Sequence, residues 1–486
     1  MNALSTTTLA ELDPRVLVPG YDRAQASAGI VHFGVGAFHR AHQAVYLDDV
    51  LTGGGSEWGI CGVGVLPHDR RIADVLQAQD GLYTLMTVDS DDTTVVRVIG
   101  SHLGHLHAPD NPAAVLEALA DPATKIVSLT ITEGGYSIND ATGEFEPTDP
   151  AVLADLAGAE VPSSVLGFIV AGLAARRAAG SAPFTVMCCD NIQHNGHVTR
   201  TAITGFAARL DPDLAGWIGE HVAFPNSMVD RITPATTPEV AAAVAAYGIE
   251  DGWPVRAEAF TQWVLEDNFP AGRPPLETVG VQIVPDVMPY ELMKLRLLNA
   301  SHQLMAYLGV LSGYTYAHEV CRDADFVAYL LDYMHTEAIP TLAPVPGIDL
   351  DAYCDQLIDR FSSEAIRDTL ARLALDGSDR IPKFVLPVVE AQLATGGDIR
   401  RATLALAAWS RYLDPATDLA GPAPVDRRLE SLRIAASREN EQPGSFLDQA
   451  EIFGDLGQHP VLRAAFLDAR AQLAAVGARA ALTALS

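Results

Sequence analysis

The stretch GIVHFGVGAFHRAHQ (29–43) joins an apolar run to two closely spaced glycines and then to the start of a helical pattern. This order predicts a β-strand, a tight turn and a helix N-terminus, which is how a dinucleotide-binding βα unit begins. Glycines in such a turn let backbone amides approach a pyrophosphate. His39 stands at the third position of the three-glycine fingerprint, so an ordinary glycine turn remains the alternative. The predicted cofactor-binding residues of the turn are Gly34, Gly36, Ala37 and Phe38.

The first half of the chain alternates short apolar runs with helical patterns. The runs are rich in Val, Ile and Thr, as are strands that a parallel sheet buries on both faces. Helical patterns such as RAHQAVYLDDVL (40–51) and SVLGFIVAGLAARRAAG (164–180) lie between them. The predicted strands are GIVHFG (29–34), WGICGVGVL (58–66), LYTLMTV (82–88), KIVSLTIT (125–132) and FTVMCCD (184–190). This half therefore predicts an α/β Rossmann-like domain with a doubly wound parallel sheet.

Asp69, in VLPHDRR (65–71), is the candidate for the acid that binds the adenosine ribose. In dinucleotide-binding folds this acid follows the second strand and accepts hydrogen bonds from the ribose hydroxyls. A carboxylate there favours NAD over NADP, because it repels a 2′-phosphate. Arg70 and Arg71 stand beside it and would weaken that repulsion. The alternative is that Asp69 is an ordinary solvated loop acid.

From about residue 286 onward, the sequence reads as amphipathic helices without a convincing strand. The helical patterns include DFVAYLLDYMHTEAI (325–339), SSEAIRDTLARLAL (362–375), IRRATLALAAWSRYL (399–413) and VLRAAFLDARAQLAAVGARAALTAL (461–485). A Pro-rich passage, FPAGRPPLETVGVQIVPDVMP (269–289), is the predicted connection. We therefore expect a Rossmann-like NAD-binding domain over residues 1–285 and a mostly α-helical substrate-binding and catalytic domain over residues 286–486.

The charge and cysteine content restrict the class of protein. A net charge of −29 over 486 residues repels phosphate backbones and anionic bilayers, so we expect neither nucleic acid nor membrane as a partner. The start of the chain lacks the pattern of a secretion signal, and no apolar run is long enough to span a membrane. Five scattered cysteines without a CxxC pair are typical of a reduced compartment. These features predict a cytoplasmic protein.

The stretch ELMKLRLLNASH (291–302) combines an apolar helical pattern with four polar side chains. On an α-helix, Glu291, His302 and Asn299 would lie about 60°, 80° and 140° from Lys294. The four groups would then share one arc, with leucines among them. Burying an unpaired ammonium is costly, so a lysine in this setting shifts its pKa or finds a partner.

Several motifs, spread over most of the chain, carry a family resemblance. They are GVGAFHRAHQ (34–43), TITEGGY (130–136), CDNIQHNG (189–196), FPNSMVDRITP (224–234), QWVLEDNF (262–269), KLRLLNASH (294–302) and DRIPKF (379–384). VDRITP and the Lys-x4-Asn-x2-His pattern are the most specific. With these motifs the chain resembles the polyol-specific long-chain dehydrogenases, the mannitol dehydrogenase family. The resemblance implies a Rossmann-like domain, a helical C-terminal domain and NAD(P)-dependent oxidation of a secondary alcohol without zinc.

The resemblance also implies roles for five polar residues. Lys294 would be the general base, because a lysine with a depressed pKa can take the hydroxyl proton as hydride leaves. Asn299 and Asn191 would stabilise alkoxide character on the reacting oxygen. His302 would hydrogen-bond the substrate near the reacting carbon, and Glu291 would relay the proton to solvent. Without the resemblance, His302 reads as a core histidine and Asn191 as a cap or turn residue.

Residues further from the lysine helix are implied as substrate ligands. Asp230 in VDRITP, with Arg380 and Lys383 in DRIPKF, would hold hydroxyls further along the substrate. Asp230 could instead pair with Arg231. Glu133 in TITEGGY follows a predicted strand, where it could line the site entrance or cap the local turn.

Two other classes of protein remain as alternatives. The segment SHLGHLH (101–107) could hold a catalytic metal through His102, His105 and His107, and otherwise it reads as a polar surface segment. A non-catalytic nucleotide-binding protein is the second alternative. Retention of Lys294 among polar neighbours argues against it.

Within the family, we expect interconversion of D-mannitol and D-fructose with NAD and no metal. Reduction of fructuronate or tagaturonate to the aldonate is an alternative, because Arg380 and Lys383 could bind a carboxylate. Arabinitol oxidation is another. The expected partner is therefore a small polyol or ketose, and the chain would be a monomer or a small homo-oligomer.

Overall fold

The computed structural model of the chain describes residues 2–91, 93–139, 142–419 and 421–485. The chain forms two units. The first is Met1–Asp89 with Thr93–Val287, and the second is Ser90–Asp92 with Met288–Ser486. The sequence places the change of architecture at residues 285 and 286, and the units divide between 287 and 288.

The first unit alternates strands and helices. Its strands are β1 (Asn2–Ala3), β2 (Val16–Leu17), β3 (Ala28–Phe33), β4 (Gly59–Gly64), β5 (Tyr83–Val88), β6 (Thr94–Ile99), β7 (His102–His107), β8 (Ile126–Leu129), β9 (Thr185–Cys188), β10 (Ser227–Asp230), β11 (Ile249–Glu250), β12 (Val255–Glu258), β13 (Gln262–Glu266) and β14 (Gln282–Val284). Its α-helices are α1 (Ala37–Ala41), α2 (Gln43–Thr52), α3 (Arg70–Ala78), α4 (Pro112–Ala120), α5 (Pro150–Leu156), α6 (Val165–Ala179), α7 (Asn195–Leu210), α8 (Pro212–His221) and α9 (Pro238–Ala245).

Five parallel strands form the central sheet of this unit, in the order β7-β4-β3-β8-β9. β3 lies in the middle, so the direction of winding reverses between β3 and β8. Phe33 of β3 is in register with Val63 and Leu129, and all three side chains are fully buried. Ligands of open α/β sheets bind at the carboxyl ends of the strands beside such a reversal. The glycine turn begins at this point.

Three expectations about the first unit are corrected by the structure. The predicted strand 82–88 is present as β5, but it pairs antiparallel with β6 in a separate sheet, β12-β5-β6-β2. The short connection between β5 and β6 permits a hairpin, whereas a parallel pair needs a dozen or more residues. The segment 101–107 contains β7, an edge strand of the central sheet. The Pro-rich passage 269–289 is more than a connection, because its strand β14 pairs with β13.

The second unit is helical. Its α-helices are α10 (Met288–Met293), α11 (Ala300–Leu311), α12 (Ala317–Val320), α13 (Ala324–Tyr333), α14 (Leu350–Phe361), α15 (Leu370–Leu373), α16 (Gly377–Phe384), α17 (Leu386–Thr395), α18 (Arg400–Leu413), α19 (Leu429–Arg438), α20 (Ala450–Phe453) and α21 (Pro460–Thr483). Two π-helical turns, Lys294–Asn299 and Met334–Ala338, interrupt this series. α11 and α18 form its centre, where Tyr307 and Trp409 pack with ring centroids 6.1 Å apart.

One predicted helix of the second unit is wrong. The pattern SSEAIRDTLARLAL (362–375) yields only the short α15. Arg367 has a positive φ of 51°, which breaks the helix, and the Thr369 hydroxyl accepts from the Arg372 N–H to begin a new one.

The predicted fold class is confirmed, an α/β Rossmann-like domain followed by a mostly α-helical one. All five cysteines lie within the described residues and are free thiols. Among the described residues, no helix is long and apolar enough to cross a bilayer.

Candidate active site

The turn after β3 has the geometry of a phosphate-binding glycine turn. Gly34 has a φ of +93°, and a Cβ there would lie 2.0 Å from the carbonyl oxygen of Thr130, so only glycine fits. Gly36 is the N-cap of α1, with a φ of −82°, and a Cβ there would meet no atom nearer than 3.9 Å. Open space therefore lies in front of the α1 N-terminus, which Ala37 and Phe38 begin. The turn fits the pyrophosphate of a dinucleotide.

His39, at the third fingerprint position, packs α1 onto the sheet through polar contacts. Its ring stacks on that of His32, with centroids 3.4 Å apart, and its Nε2 lies 2.9 Å from Nε2 of His102. Burial lowers the pKa of both His39 and His102 well below the ordinary value, so one neutral ring can donate to the other. A third glycine would serve close helix–strand packing, and here a buried histidine pair takes its place.

The histidines of β7 are not a polar surface segment. His102 is fully buried, and both ring nitrogens of His105 are buried without a hydrogen-bond partner among the described residues. Burial lowers the pKa of His105 to about 4. In the part of the chain that the structure describes, no three His, Cys, Asp or Glu side chains are grouped so as to hold a metal ion.

Asp69 lies just beyond the carboxyl end of β4, the strand next to β3. Its Oδ2 accepts from the Leu66 N–H at 2.8 Å, and its Cβ approaches so closely that Gly64 has room for no side chain. The carboxylate remains partly exposed. The neighbouring arginines are engaged elsewhere: Arg70 pairs with Asp74 at 2.8 Å, and Arg71 lies over the Trp253 ring. Asp69 is therefore held by local contacts, with a partly exposed carboxylate at the edge of the sheet where the glycine turn begins.

Asp190 ties together the loops that follow β8 and β9. Its carboxylate accepts from the backbone N–H groups of Ile131 and Thr132, each at 2.9 Å, and from the Tyr136 hydroxyl at 2.6 Å. Thr132 is held at a φ of +63°, which is rare for a β-branched residue, and such strain persists where surrounding contacts enforce it. Asn191 follows Asp190 directly and is exposed.

Glu133 and Asp230 also lie at the ends of strands or in the loops that follow them. Glu133 opens the 3-10 helix Glu133–Tyr136 and is exposed. Asp230 is the last residue of β10 and is buried. Arg231 donates to the carbonyl oxygens of Glu258 and Ala41, at 3.0 and 2.6 Å, so its guanidinium is anchored in the backbone.

Lys294 opens the π-helical turn Lys294–Asn299, which connects α10 to α11. It is buried, as the sequence pattern predicts, with 6% of its surface exposed, and Glu291 is 5% exposed. The α-helical wheel is wrong for this stretch, because the Ala300 N–H bonds to the Leu295 carbonyl, five residues back. The wider turn brings Asn299 nearer to the face of Lys294 than the about 140° of an α-helix.

Asn299 has an unsatisfied polar atom. Its Oδ1 is buried and finds no hydrogen-bond partner among the described residues. A buried amide oxygen without a hydrogen-bond donor is costly, so we expect a ligand hydroxyl to donate to it. Rotation of the amide would present its N–H groups to the ligand instead. His302 follows on α11, with its ring centroid 4.7 Å from that of Phe361.

The two cations of DRIPKF lie on α16 and differ in setting. Nη1 of Arg380 donates to the carbonyl oxygens of Leu373 and Arg372, at 3.0 and 3.2 Å. Lys383 lies 3.5 Å from Asp379 and has a side chain that is 46% exposed. Arg380 is therefore anchored by the backbone, whereas Lys383 is held only by a surface ion pair, which contributes little.

Two family models match most of the chain. One, described as the mannitol dehydrogenase Rossmann domain, matches residues 28–278, and the other, the mannitol dehydrogenase C-terminal domain, matches residues 286–474. Mannitol 2-dehydrogenase of Cereibacter sphaeroides is 45% identical over 466 residues, which covers 96% of this chain and 97% of that protein. Mannitol 2-dehydrogenase of Phaeosphaeria nodorum is 47% identical over 458 residues, which covers 93% and 80%.

Two solved structures are similar over the whole length. Mannitol 2-dehydrogenase of Pseudomonas fluorescens, in a ternary complex with NAD and D-mannitol, is 46% identical with a TM-score of 0.89 and covers 100% of this chain and 99% of its own. A D-sorbitol dehydrogenase in substrate-free form is 38% identical with a TM-score of 0.90, and the match covers 99% and 100%.

Proposed function

The chain belongs to the mannitol dehydrogenase family, and we propose that it is an NAD-dependent oxidoreductase that interconverts D-mannitol and D-fructose. The sequence identity of 46% with an enzyme solved with NAD and D-mannitol, over the whole chain, supports this choice of cofactor and substrate. The D-sorbitol dehydrogenase at 38% identity makes sorbitol a second candidate. Both substrates are hexitols, so the reaction class is the same.

The first unit has the features that NAD requires. The pyrophosphate would lie on the amides of the α1 N-terminus, beside Gly34 and Gly36, and Asp69 would accept from the adenosine ribose hydroxyls. NAD supplies the acceptor for the hydride. The strained loop at Thr132, held by Asp190, lies after the next strand of the sheet. It would help to define the reactive end of the site.

The observation that carries the chemistry is the buried lysine on a π-helical turn beside an unsatisfied amide. We assign Lys294 as the general base, which takes the proton from the C2 hydroxyl as the hydride leaves C2. Asn299 and Asn191 would donate to the reacting oxygen as it gains alkoxide character. Glu291, also buried and one turn before the lysine, would receive the proton and pass it to solvent. His302 would orient the substrate at the reacting carbon.

We propose that the remaining substrate hydroxyls bind Asp230, Arg380 and Lys383. Asp230 is buried at the end of β10, and its carboxylate would accept hydrogen bonds from substrate hydroxyls. Lys383, which is itself exposed, can leave its partner Asp379 to bind a ligand, because Asp379 also pairs with Arg427. A uronate would need this lysine or Arg380 for its carboxylate, and Arg380 already donates to two carbonyl oxygens. The hexitol is favoured over the uronate because the enzyme solved with NAD and D-mannitol is 46% identical over the whole chain.

The first test is absorbance of NADH at 340 nm with purified protein in the presence of EDTA. D-mannitol, D-sorbitol and arabinitol would be offered with NAD, and D-fructose and fructuronate with NADH. We expect turnover of D-mannitol and D-fructose, undiminished by EDTA. Turnover of D-sorbitol or arabinitol alone would keep the reaction class and change the substrate. Turnover of fructuronate alone would reject the hexitol, and loss of rate in EDTA would reject a metal-free lysine mechanism.

Asp69→Asn is expected to raise the ratio of kcat/KM with NADP to kcat/KM with NAD by about tenfold or more, because it removes the charge that repels a 2′-phosphate. Asparagine retains an acceptor for the Leu66 N–H, so the local turn persists. Asp74→Asn is the matched control, since Asp74 is an exposed acid of the same segment that pairs with Arg70. An unchanged cofactor ratio in Asp69→Asn would remove Asp69 from the ribose site.

A further inference from the structure

The π-helical turn Lys294–Asn299 changes the hydrogen bonding of one carbonyl group in particular. In an α-helix the Ala300 N–H would bond to the Arg296 carbonyl, four residues back. Here it bonds instead to the carbonyls of Leu295 and Leu297. The Arg296 carbonyl therefore loses the donor that an α-helix would supply at this position, and its oxygen can accept from a side chain outside the helix.

Tyr333, the last residue of α13, supplies that donor. Its hydroxyl donates to the Arg296 carbonyl at 3.2 Å, and the tyrosine is fully buried. The side chain of the same arginine is also held, because its Nη1 donates to the Thr341 carbonyl at 2.6 Å. Burial, and then the nearby carboxylate of Glu337, hold the pKa of Tyr333 well above its ordinary value, so the hydroxyl keeps its proton. One segment, 333–341, therefore holds Arg296 at two points.

The π turn decides how the base and the amide face each other. Lys294 and Asn299 are five residues apart, so an α-helix would turn one about 140° away from the other. Hydrogen bonds that span five residues bring the two closer to one face. Long π segments are rare, and an isolated turn of this kind persists only when its surroundings favour it over the α-helical alternative. Whatever supports the turn therefore controls the relative placement of the two groups.

We propose that Tyr333 is a positioning residue for the reaction: its hydroxyl stabilises the π turn by satisfying the Arg296 carbonyl, and so holds Lys294 and Asn299 on one face. Tyr333 touches neither substrate nor cofactor in this role. It can act in this way only if Lys294 is the base proposed above. The other possibility is that Tyr333 merely fills the core of the helical unit.

Tyr333→Phe tests the assignment, with Tyr329→Phe as the matched control. Tyr329 lies one turn earlier on α13, is 1% exposed, and donates from its hydroxyl to the Arg401 carbonyl at 2.7 Å. Each variant thus loses one buried phenol–carbonyl hydrogen bond, but only Tyr333→Phe loses one to the turn that carries the base. We expect Tyr333→Phe to lower kcat for the hexitol by about ten- to hundredfold, because small misplacements of reacting groups are costly. KM, the Kd for NADH and the melting temperature should match those of Tyr329→Phe.

Two further readouts separate positioning from a general loss of stability. In Tyr333→Phe, the acid limb of the pH profile of kcat/KM should shift, and the isotope effect with C2-deuterated substrate should rise, because the chemical step is what slows. A kcat, pH profile and isotope effect equal to those of Tyr329→Phe would overturn the positioning role, whether or not either variant is less stable. Lys294→Ala is measured in parallel. If it keeps its turnover, the base itself is rejected and Tyr333 has nothing to position. If Lys294→Ala is inactive while Tyr333→Phe behaves like Tyr329→Phe, the assignment of Lys294 as the base is supported and only the positioning role of Tyr333 is rejected.

Discussion

Lys294→Ala should lower kcat for D-mannitol oxidation by about 10²–10⁴-fold, which is the usual contribution of a general base. The lysine is 6% exposed on a helical turn whose neighbouring amide, Asn299, has a buried oxygen without a partner among the described residues. Without the amine, no group of comparable basicity on that turn takes the hydroxyl proton. The Kd for NADH should change little, because the cofactor is expected at the glycine turn of the first unit. Stopped-flow hydride transfer and NADH fluorescence titration measure the two quantities separately.

The chain offers an unusually direct control for this substitution, because it contains only three lysines, at 125, 294 and 383. Lys125 is partly exposed and pairs with Glu57 at 3.3 Å, so Lys125→Ala should leave kcat unchanged. Small primary amines added to Lys294→Ala should restore part of the rate, since they can enter the space left by the side chain. Wild-type turnover in a folded Lys294→Ala protein would reject the lysine mechanism, and failure of every amine to restore activity would weaken the assignment of proton transfer to this position.

Strands of the central sheet could be predicted from the sequence where burial on both faces requires a continuous apolar run. β3, β4, β8 and β9 are all of this kind; β3 begins one residue before its predicted range, and the other three lie within theirs. β7 was not accessible, because its histidines make it read as polar. In the structure His102 is fully buried, and its Nε2 lies 2.9 Å from Nε2 of His39, so these two ring nitrogens satisfy each other.

Neither the pairing between strands nor the type of helical turn could be predicted from the sequence. β5 has the composition of a strand of the central sheet, but it pairs with β6 and β12 in another sheet. The hydrophobic pattern of a strand does not specify which strand it pairs with. The π turn is hidden for a related reason. Periodicity reports which face of a helix is apolar, whereas the change from four-residue to five-residue hydrogen bonds at Lys294 depends on Tyr333, 37 residues beyond Arg296.

The site residues show the same difference between local patterns, which the sequence reveals, and contacts between distant segments, which it does not. Motifs of the resemblance located Lys294, Asn299 and Gly34, whose local settings the structure explains. Asp190 was missed, although it is the last residue of the predicted strand 184–190 and directly precedes Asn191. Its role depends on accepting hydrogen bonds from two amides of another loop, 58 and 59 residues away, and no local pattern contains that information.

Gly34→Ala and Gly36→Ala should both weaken NADH binding, but only Gly34→Ala should destabilise the fold, and together they test the cofactor site. At Gly34 an added Cβ lies 2.0 Å from the Thr130 carbonyl oxygen, and alanine must also adopt a φ of +93°. We expect the free energy of unfolding to fall by about 2–4 kcal/mol, from backbone strain and overpacking in the centre of the sheet, and NADH binding to be lost with the turn. Urea unfolding followed by circular dichroism, and NADH fluorescence titration, measure the two effects.

At Gly36 the added Cβ meets nothing nearer than 3.9 Å and φ is an ordinary −82°, so the free energy of unfolding should stay within about 0.5 kcal/mol of wild type. The methyl group nevertheless projects into the space in front of the α1 N-terminus. It should keep the pyrophosphate from the amides and raise the Kd for NADH by about ten- to hundredfold, the equivalent of about 1.5–3 kcal/mol for a charge-assisted hydrogen bond. The pair separates two roles that one glycine motif combines, because the first glycine serves the fold and the second serves the ligand. Wild-type affinity in Gly36→Ala would contradict a pyrophosphate site at this turn. Wild-type stability in Gly34→Ala would mean that the backbone at Thr130, just after β8, shifts to admit the methyl group.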